Sequence, residues 1–226
     1  SDRSREWQEA PKEGWAGVAA AFDADGTLWA GDVGELLLER LIHQGRVPRA
    51  TWERYLGLTR TDMVAACGYC VEAMGGLSEA EVEAECRALI SSQAHLPAHT
   101  EVVGILRRLV DLGAEVWVVS GSSDLVVKAG LAALGGLDRV GVLGARGEAR
   151  SGRLTGTVLA PVPCRGGKVE ALSKATSRPL HLAAGNALYD LEMLEMARHP
   201  IGVGPRANAT ELVKQAEARG WHVIRV

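Results

Sequence analysis

Short apolar runs alternate with amphipathic helical stretches along most of this chain. That alternation limits the possible folds more than any other feature. Residues 18–22 (VAAAF), 115–119 (EVWVV), 140–143, 179–184 (PLHLAA), 201–203 and 222–226 read as strands. Helical spacing is predicted over 100–112, 124–134, 166–173, 188–197 and 210–219. Strands alternating with helices imply an α/β fold with a parallel, doubly wound sheet. Two stretches break the rhythm. Residues 148–159 read as a hairpin turning at Ser151-Gly152. From Gly34 to Leu96 the text is helical throughout, with a capping-box pattern at Ser78–Glu81 and a stop at Pro97. The expected organisation is therefore an N-terminal arm over 1–14, loose apart from a helical turn. A core follows over 15–33 and 97–226, with an all-helical insert over 34–96.

Composition removes several classes of function. With 226 residues the chain suits one core carrying an inserted module. Its 47% hydrophobic and 23% charged content is that of an ordinary globular protein. A net charge of −3 offers no basic surface for nucleic acid or an anionic membrane, and 4% aromatic content offers no stacking platform for bases. No apolar run approaches the roughly 18 residues of a membrane span, and the polar first residues lack a signal-peptide core. Four cysteines make no disulfide scaffold, so free thiols in a reducing cytoplasm are expected. No sequence feature fixes an oligomeric state.

The strongest local signal is Asp23-Ala24-Asp25-Gly26-Thr27-Leu28-Trp29, directly after the first strand. Two carboxylates two residues apart on a tight loop raise one another's pKa unless a cation or proton intervenes. The arrangement suits a nucleophile and metal ligand beside a proton donor, although a plain surface turn also uses Asp and Gly. In an open parallel sheet, ligands sit beyond the carboxyl ends of the strands. Ser120, with Gly121 and Ser122, follows the second strand there. A hydroxyl and successive N–H groups at a helix start suit a phosphate oxygen, or simply an N-cap. Lys168 opens a helix after Arg165-Gly166-Gly167, without the rest of a Walker loop. Asn186 and Asp190 stand four apart at another strand end.

Taken in order, DADGTLW (23–29), VVSGS (118–122), GGKVEAL (166–172) and AAGNALYDLEML (183–194) resemble the haloacid dehalogenase superfamily, in its phosphoserine-phosphatase-like branch. The resemblance implies a Rossmann-like core with a helical cap, and an Mg²⁺-dependent phosphomonoesterase acting on a small phosphorylated metabolite. By that resemblance Asp23 is the nucleophile and Asp25 the general acid and base. Ser120 bonds the phosphoryl group and Lys168 offsets its charge. Mg²⁺ is held by Asp23, the Asp25 carbonyl and Asp190, with Asn186 able to add its side-chain oxygen. Asn186 stands where the family pattern has Asp, so weaker metal binding is expected. Asp32, nine residues after Asp23, is implied to meet a substrate amine, as in phosphoserine, or else is a solvent-facing loop acid. Arg60 is a candidate for a substrate carboxylate, or part of a solvated helix face. Phosphotransfer to an acceptor other than water, and a non-catalytic phosphate binder weakened at Asn186, are the alternatives.

Three further patterns carry less. Cys67-Gly68-Tyr69-Cys70 is a CxxC in a helical stretch, where thiols packed inside the insert are expected rather than zinc. Residues 202–207 mimic a dinucleotide fingerprint, but too little chain follows for the required unit. Trp52 and Tyr55 are expected to pack the insert or its mouth.

Overall fold

The computed structural model describes residues 3–92 and 96–226, with side chains from residue 6 onward. Ser1 and Asp2 of the expected arm, and residues 93–95 near the expected end of the insert, lie outside the described residues. Seven strands form one sheet in the order β4-β3-β2-β1-β5-β6-β7. They are β1 Ala19–Phe22, β2 Glu115–Ser123, β3 Gly141–Arg150, β4 Arg153–Leu159, β5 Leu180–Gly185, β6 His199–Gly204 and β7 His222–Arg225. All neighbours pair in parallel except β3 with β4, which are the expected hairpin. β1 lies between β2 and β5, and the chain winds outward from it in both directions. Clefts form at such a reversal, beyond the strand ends.

β1 is AAAF, buried at every position, because helices cover both faces of the sheet. After it come α1 Val33–His43, α2 Ala50–Thr61, α3 Met63–Glu72 and α4 Glu79–Ser92, all before β2. Their stops are chemical. The Asp62 side chain accepts from Ala65 N and opens α3, which divides the continuous helical text. At Ser78 the backbone N–H donates to Glu81 Oε2, which is half of a capping box. α5 Thr100–Leu112 and α6 Asp124–Leu134 match their predicted bounds. Beyond them, α7 Gly166–Ala175, α8 Leu191–Met196 and α9 Glu211–Ala218 complete the core.

The insert is fastened to the hairpin. Gly76 N donates to Leu154 O, Leu154 N to Leu77 O, and Glu79 N to Gly152 O. The arm is seated as well, contrary to its expected looseness. Trp7 is buried in the main core, and its carbonyl lies 2.9 Å from His181 Nε2. The indole supplies apolar area that a polar-looking segment conceals.

Candidate active site

Asp23 follows β1 directly, and its backbone N–H donates to Ala184 O of β5. This fixes the loop over the strand end. Asp23 Oδ1 accepts from Lys168 Nζ at 2.6 Å, and Oδ2 accepts from Thr27 Oγ1 at 2.9 Å. Lys168 is almost fully buried, not solvated as a lysine at a helix start would ordinarily be. Its ammonium also meets Asp190 Oδ1 at 2.6 Å and the Val119 carbonyl at 2.8 Å. The approach of α7 that permits this depends on Gly167, where a Cβ would lie 1.9 Å from Val162 O. Burial alone would lower the Lys168 pKa, but Asp190 and Asp23 outweigh it and hold the ammonium charged. Asp23 is pushed upward by burial and then by Asp190, against the opposing pull of Lys168.

Asp25 sits in a different environment. Its Oδ1 accepts from Trp29 Nε1 at 2.9 Å and Val33 N at 2.8 Å, and its Oδ2 from Ser122 Oγ at 2.7 Å. Burial raises its pKa, and those three hydrogen bonds work against the rise. Ser122 reaches Asp25 because β2 does not end at Val119. It continues through Ser123, with a step of four positions from Val119 to Ser123 set against a step of two from Leu143 to Ala145 on β3. Such a bulge re-aims side chains. Ser120, Gly121 and Ser122 therefore lie on a bulged strand end rather than at the expected helix start, and Ser123 caps α6 instead. Ser120 is buried, and its Oγ accepts from Ser122 N at 3.1 Å.

These groups line one cleft of about 210 Å³ between core and insert. Asp23, Asp25, Ser120, Gly121, Ser122, Lys168, Asn186 and Asp190 are all on its wall, and so is Asp32. Asp32 caps α1, accepting from Glu35 N at 2.8 Å, and burial followed by the nearby Asp25 pushes it up to about 7. Arg60 is the exception. α2 buries Thr51 and Tyr55, and Arg60 lies five residues beyond Tyr55, about 140° around the helix, on the exposed face. It does not line the cleft.

Asp190, expected as a metal ligand, makes a set of contacts of its own. One carboxylate oxygen meets Lys168, and the other accepts from Asn186 N and Ala187 N, both at 3.0 Å. Both oxygens thus help to fix Lys168 and the loop. Among the described residues no three Asp, Glu, His or Cys side chains gather around a common point as a metal cradle. Backbone and amide oxygens stand beside the Asp23 carboxylate as further donors. One end of the Asn186 amide lies 3.0 Å from Asp23 Oδ2, the Asp25 carbonyl and Thr27 Oγ1. With nitrogen there, the amide donates into the cluster. With oxygen there, the Asn186 oxygen lies 3.0 Å from Asp23 Oδ2 and from the Asp25 carbonyl, a spacing that adjacent ligands of one small cation can take. The donor set therefore fits Mg²⁺. Gly26 makes room for this amide: its φ is +75°, and a Cβ would lie 2.2 Å from the Asn186 side chain.

Several contacts had only weak sequence signals. Thr27 and Trp29 each stand four residues after the acid they contact, a spacing that a tight loop can use. Ser122 was expected to bind substrate through its N–H, yet its hydroxyl holds Asp25. On the insert side, Glu35, Tyr55, Met63, Cys67 and Cys70 also line the cleft. Tyr55 donates to Glu35 Oε1 at 2.8 Å and is tilted against Trp52 at 5.5 Å between ring centres.

Comparison with known proteins agrees with this architecture. The family model for haloacid dehalogenase-like hydrolases matches residues 20–195, and the chain belongs to that family. No curated relative matches it. Among solved structures it resembles a protein of unknown function from Bordetella pertussis Tohama I, with TM-score 0.76, 21% identity, and coverage of 92% of this chain and 98% of that one. A hydrolase of the same family from Salmonella enterica serovar Typhi gives TM-score 0.64 at 21% identity, covering 96% of this chain and 68% of that one. A phospho-aspartyl intermediate analogue of phosphoserine phosphatase gives TM-score 0.58 at 21% identity, with 92% of each chain covered.

Proposed function

We propose that the chain is an Mg²⁺-dependent phosphomonoesterase that works through an aspartyl-phosphate on Asp23. The observation that carries this reading is the pair of differently treated acids on one cleft wall: Asp23 paired with a buried ammonium, and Asp25 wrapped by three donors. A bound Mg²⁺ would be held by Asp23, the Asp25 carbonyl and Asn186, and would supply neutralisation of phosphoryl charge. Asp23 attacks phosphorus in line with the ester oxygen. The Asp23–phosphorus bond forms as the bond to the leaving oxygen breaks, and Asp25 delivers its proton to that oxygen. Water then attacks the phosphorus, Asp25 takes the water's proton, and inorganic phosphate leaves with Asp23 restored. Lys168 offsets charge throughout, and Ser120 bonds a phosphoryl oxygen. In this reading the insert is a cap that keeps bulk water from the intermediate.

The substrate wall supports a small phosphorylated metabolite carrying an amine, of which phosphoserine is one. Asp32 and Glu35 line it, and among the described residues the cleft's one Lys or Arg is Lys168, already shared between two acids. No described helix is long and apolar enough to cross a membrane, and the four cysteines are free. Both features accord with the cytoplasm we propose as its compartment.

The test is hydrolysis of p-nitrophenyl phosphate with and without Mg²⁺. Asp23→Asn is expected to lower kcat by about 10⁴-fold or more, because the whole covalent route is lost. Turnover that survives the substitution would remove Asp23 from its role. A second reading, a phosphate binder without turnover, draws on the Asn186 amide, which can satisfy the acidic loop with its own N–H groups. It predicts saturable phosphate binding and no product at high Mg²⁺.

A further inference from the structure

Two cysteines face each other across the cleft. Cys67 belongs to α3 of the insert, and Cys164 to the core segment just before α7; both line the cavity that holds Asp23 and Lys168. The two thiols influence one another, raising the pKa of Cys67 and lowering that of Cys164. The close approach depends on Gly121 of β2. A Cβ there would lie 2.6 Å from Cys67 Sγ and 3.9 Å from the carbonyl of Pro163, the neighbour of Cys164. The CxxC partner, Cys70, lines the same cavity. Cys86 lies in α4, away from the cleft.

We propose that Cys67 and Cys164 form a peroxide-sensitive modification site whose disulfide ties the helical insert to the core and shuts the cleft. The surroundings suit the chemistry. The neighbouring Cys67 thiol, and then Lys168 and Arg165, lower the pKa of Cys164 against its burial and favour its thiolate. Burial, and to a smaller degree Asp32, pushes Cys70 up to about 12, which keeps that thiol protonated. The Cys164 thiolate attacks hydrogen peroxide. A sulfur–oxygen bond forms, the peroxide bond breaks, and the departing hydroxide takes a proton to become water. Cys67 then attacks the resulting sulfenic acid sulfur and loses its own proton. The sulfur–oxygen bond breaks, and a second water leaves. Each sulfur has given up one electron, and one peroxide has become two waters.

The bond joins α3 of the insert to the core segment that leads into α7 and Lys168. A covalent tie at this point blocks access without touching Asp23. Thiols restore the open state by exchange.

The experiment treats the full chain with hydrogen peroxide and maps its cysteine peptides, which needs no variant. A Cys67–Cys164 cross-linked peptide is expected, together with a fall of about tenfold or more in p-nitrophenyl phosphate turnover that dithiothreitol reverses. Closure is also read without turnover, as a slower reaction of Cys70 with a maleimide. Cys67→Ser and Cys164→Ser should each keep their own reduced rate under peroxide, whereas Cys86→Ser should stay sensitive. Peroxide-treated protein without the Cys67–Cys164 cross-link would overturn the proposal. So would cross-linked protein whose turnover and Cys70 labelling match those of the reduced chain.

Discussion

The two walls of the cleft hold their charges by different physics. On the core side, Lys168 is clamped between Asp23 and Asp190 at 2.6 Å each, almost without solvent. On the insert side, Asp32 and Glu35 stand at the start of α1 with part of each side chain exposed, held by a helix cap and by Tyr55. A buried pair is tightly coupled, and losing one member leaves a charge that water cannot reach. A half-exposed acid is screened and can change its protonation cheaply. The core wall should therefore respond to substitution in stability and kcat, and the insert wall in pH dependence and KM.

Lys168→Met tests that contrast most severely. It leaves Asp23 and Asp190 buried and facing each other without a cation. A loss of about 3–5 kcal/mol is expected at neutral pH. The sign of its pH dependence is fixed. Without the ammonium, burial and Asp190 raise the Asp23 pKa unopposed by Lys168, so the folded state binds more protons than the unfolded one and stability falls as pH rises. Denaturant titrations should show a smaller defect at pH 5 than at pH 8. An equal defect at both would mean that packing, not charge, dominates this wall.

Asn186→Asp acts on the same wall more gently. The amide that can donate to Asp23 and Asp25 is replaced by a third acid. Thermal stability without Mg²⁺ should drop, and Mg²⁺ should bind about tenfold more tightly through the added charge. Isothermal titration with Mg²⁺ reads the affinity without reference to turnover. Unchanged affinity would place the cation away from residue 186.

The same contrast explains what could be read in advance. Strand-end chemistry is written in short contiguous strings, so Asp23, Asp25, Ser120, Lys168 and Asn186 were legible. The sheet was legible too, because buried parallel strands leave unbroken apolar runs. Two things escaped. The bulge in β2 depends on pairing with β3, which leaves no local mark, and it aims the Ser122 hydroxyl at Asp25. The insert wall was the harder case. Its helices expose or bury a residue according to how they pack, and helical spacing alone could not choose between Tyr55, which lines the cleft, and Arg60, which does not. The contacts of Asp190 were hidden for a related reason: only three dimensions reveal that its oxygens meet Lys168 and the N–H groups of Asn186 and Ala187.

Asp32→Asn probes the insert wall. Asn caps a helix about as well as Asp, so α1 should persist. The folded-state pKa of Asp32 is raised from 3.8 to about 7, so its ionised form is disfavoured in the fold. That penalty is absent below pH 4 and grows as pH rises through 7. The substitution should therefore stabilise the chain at pH 8 by about 1–2 kcal/mol, a figure reduced because the side chain is partly exposed and screened. At pH 4 it should change nothing. For an amine-bearing phosphomonoester, KM should rise while kcat holds, since the lost contact lies on the leaving group and not at phosphorus. A fall in kcat with unchanged KM would instead join Asp32 to the core wall.

Arg60→Ala should have the smallest effect and marks the outer limit of the insert wall. Arg60 is exposed in the last turn of α2, on the face turned away from Tyr55. Its removal costs a favourable contact with the helix C-terminus, worth about 0.3–1 kcal/mol when exposed and less in salt. KM for substrates with and without a carboxylate should stay within about twofold of the parent, because a cation outside the cleft has no short-range hold on either. A selective rise in KM for the carboxylate-bearing substrate would mean that α2 rotates or shifts on closure to bring Arg60 inward. The insert would then move by more than its ties to the β3–β4 hairpin, through Gly76, Leu77 and Glu79, permit in the present arrangement.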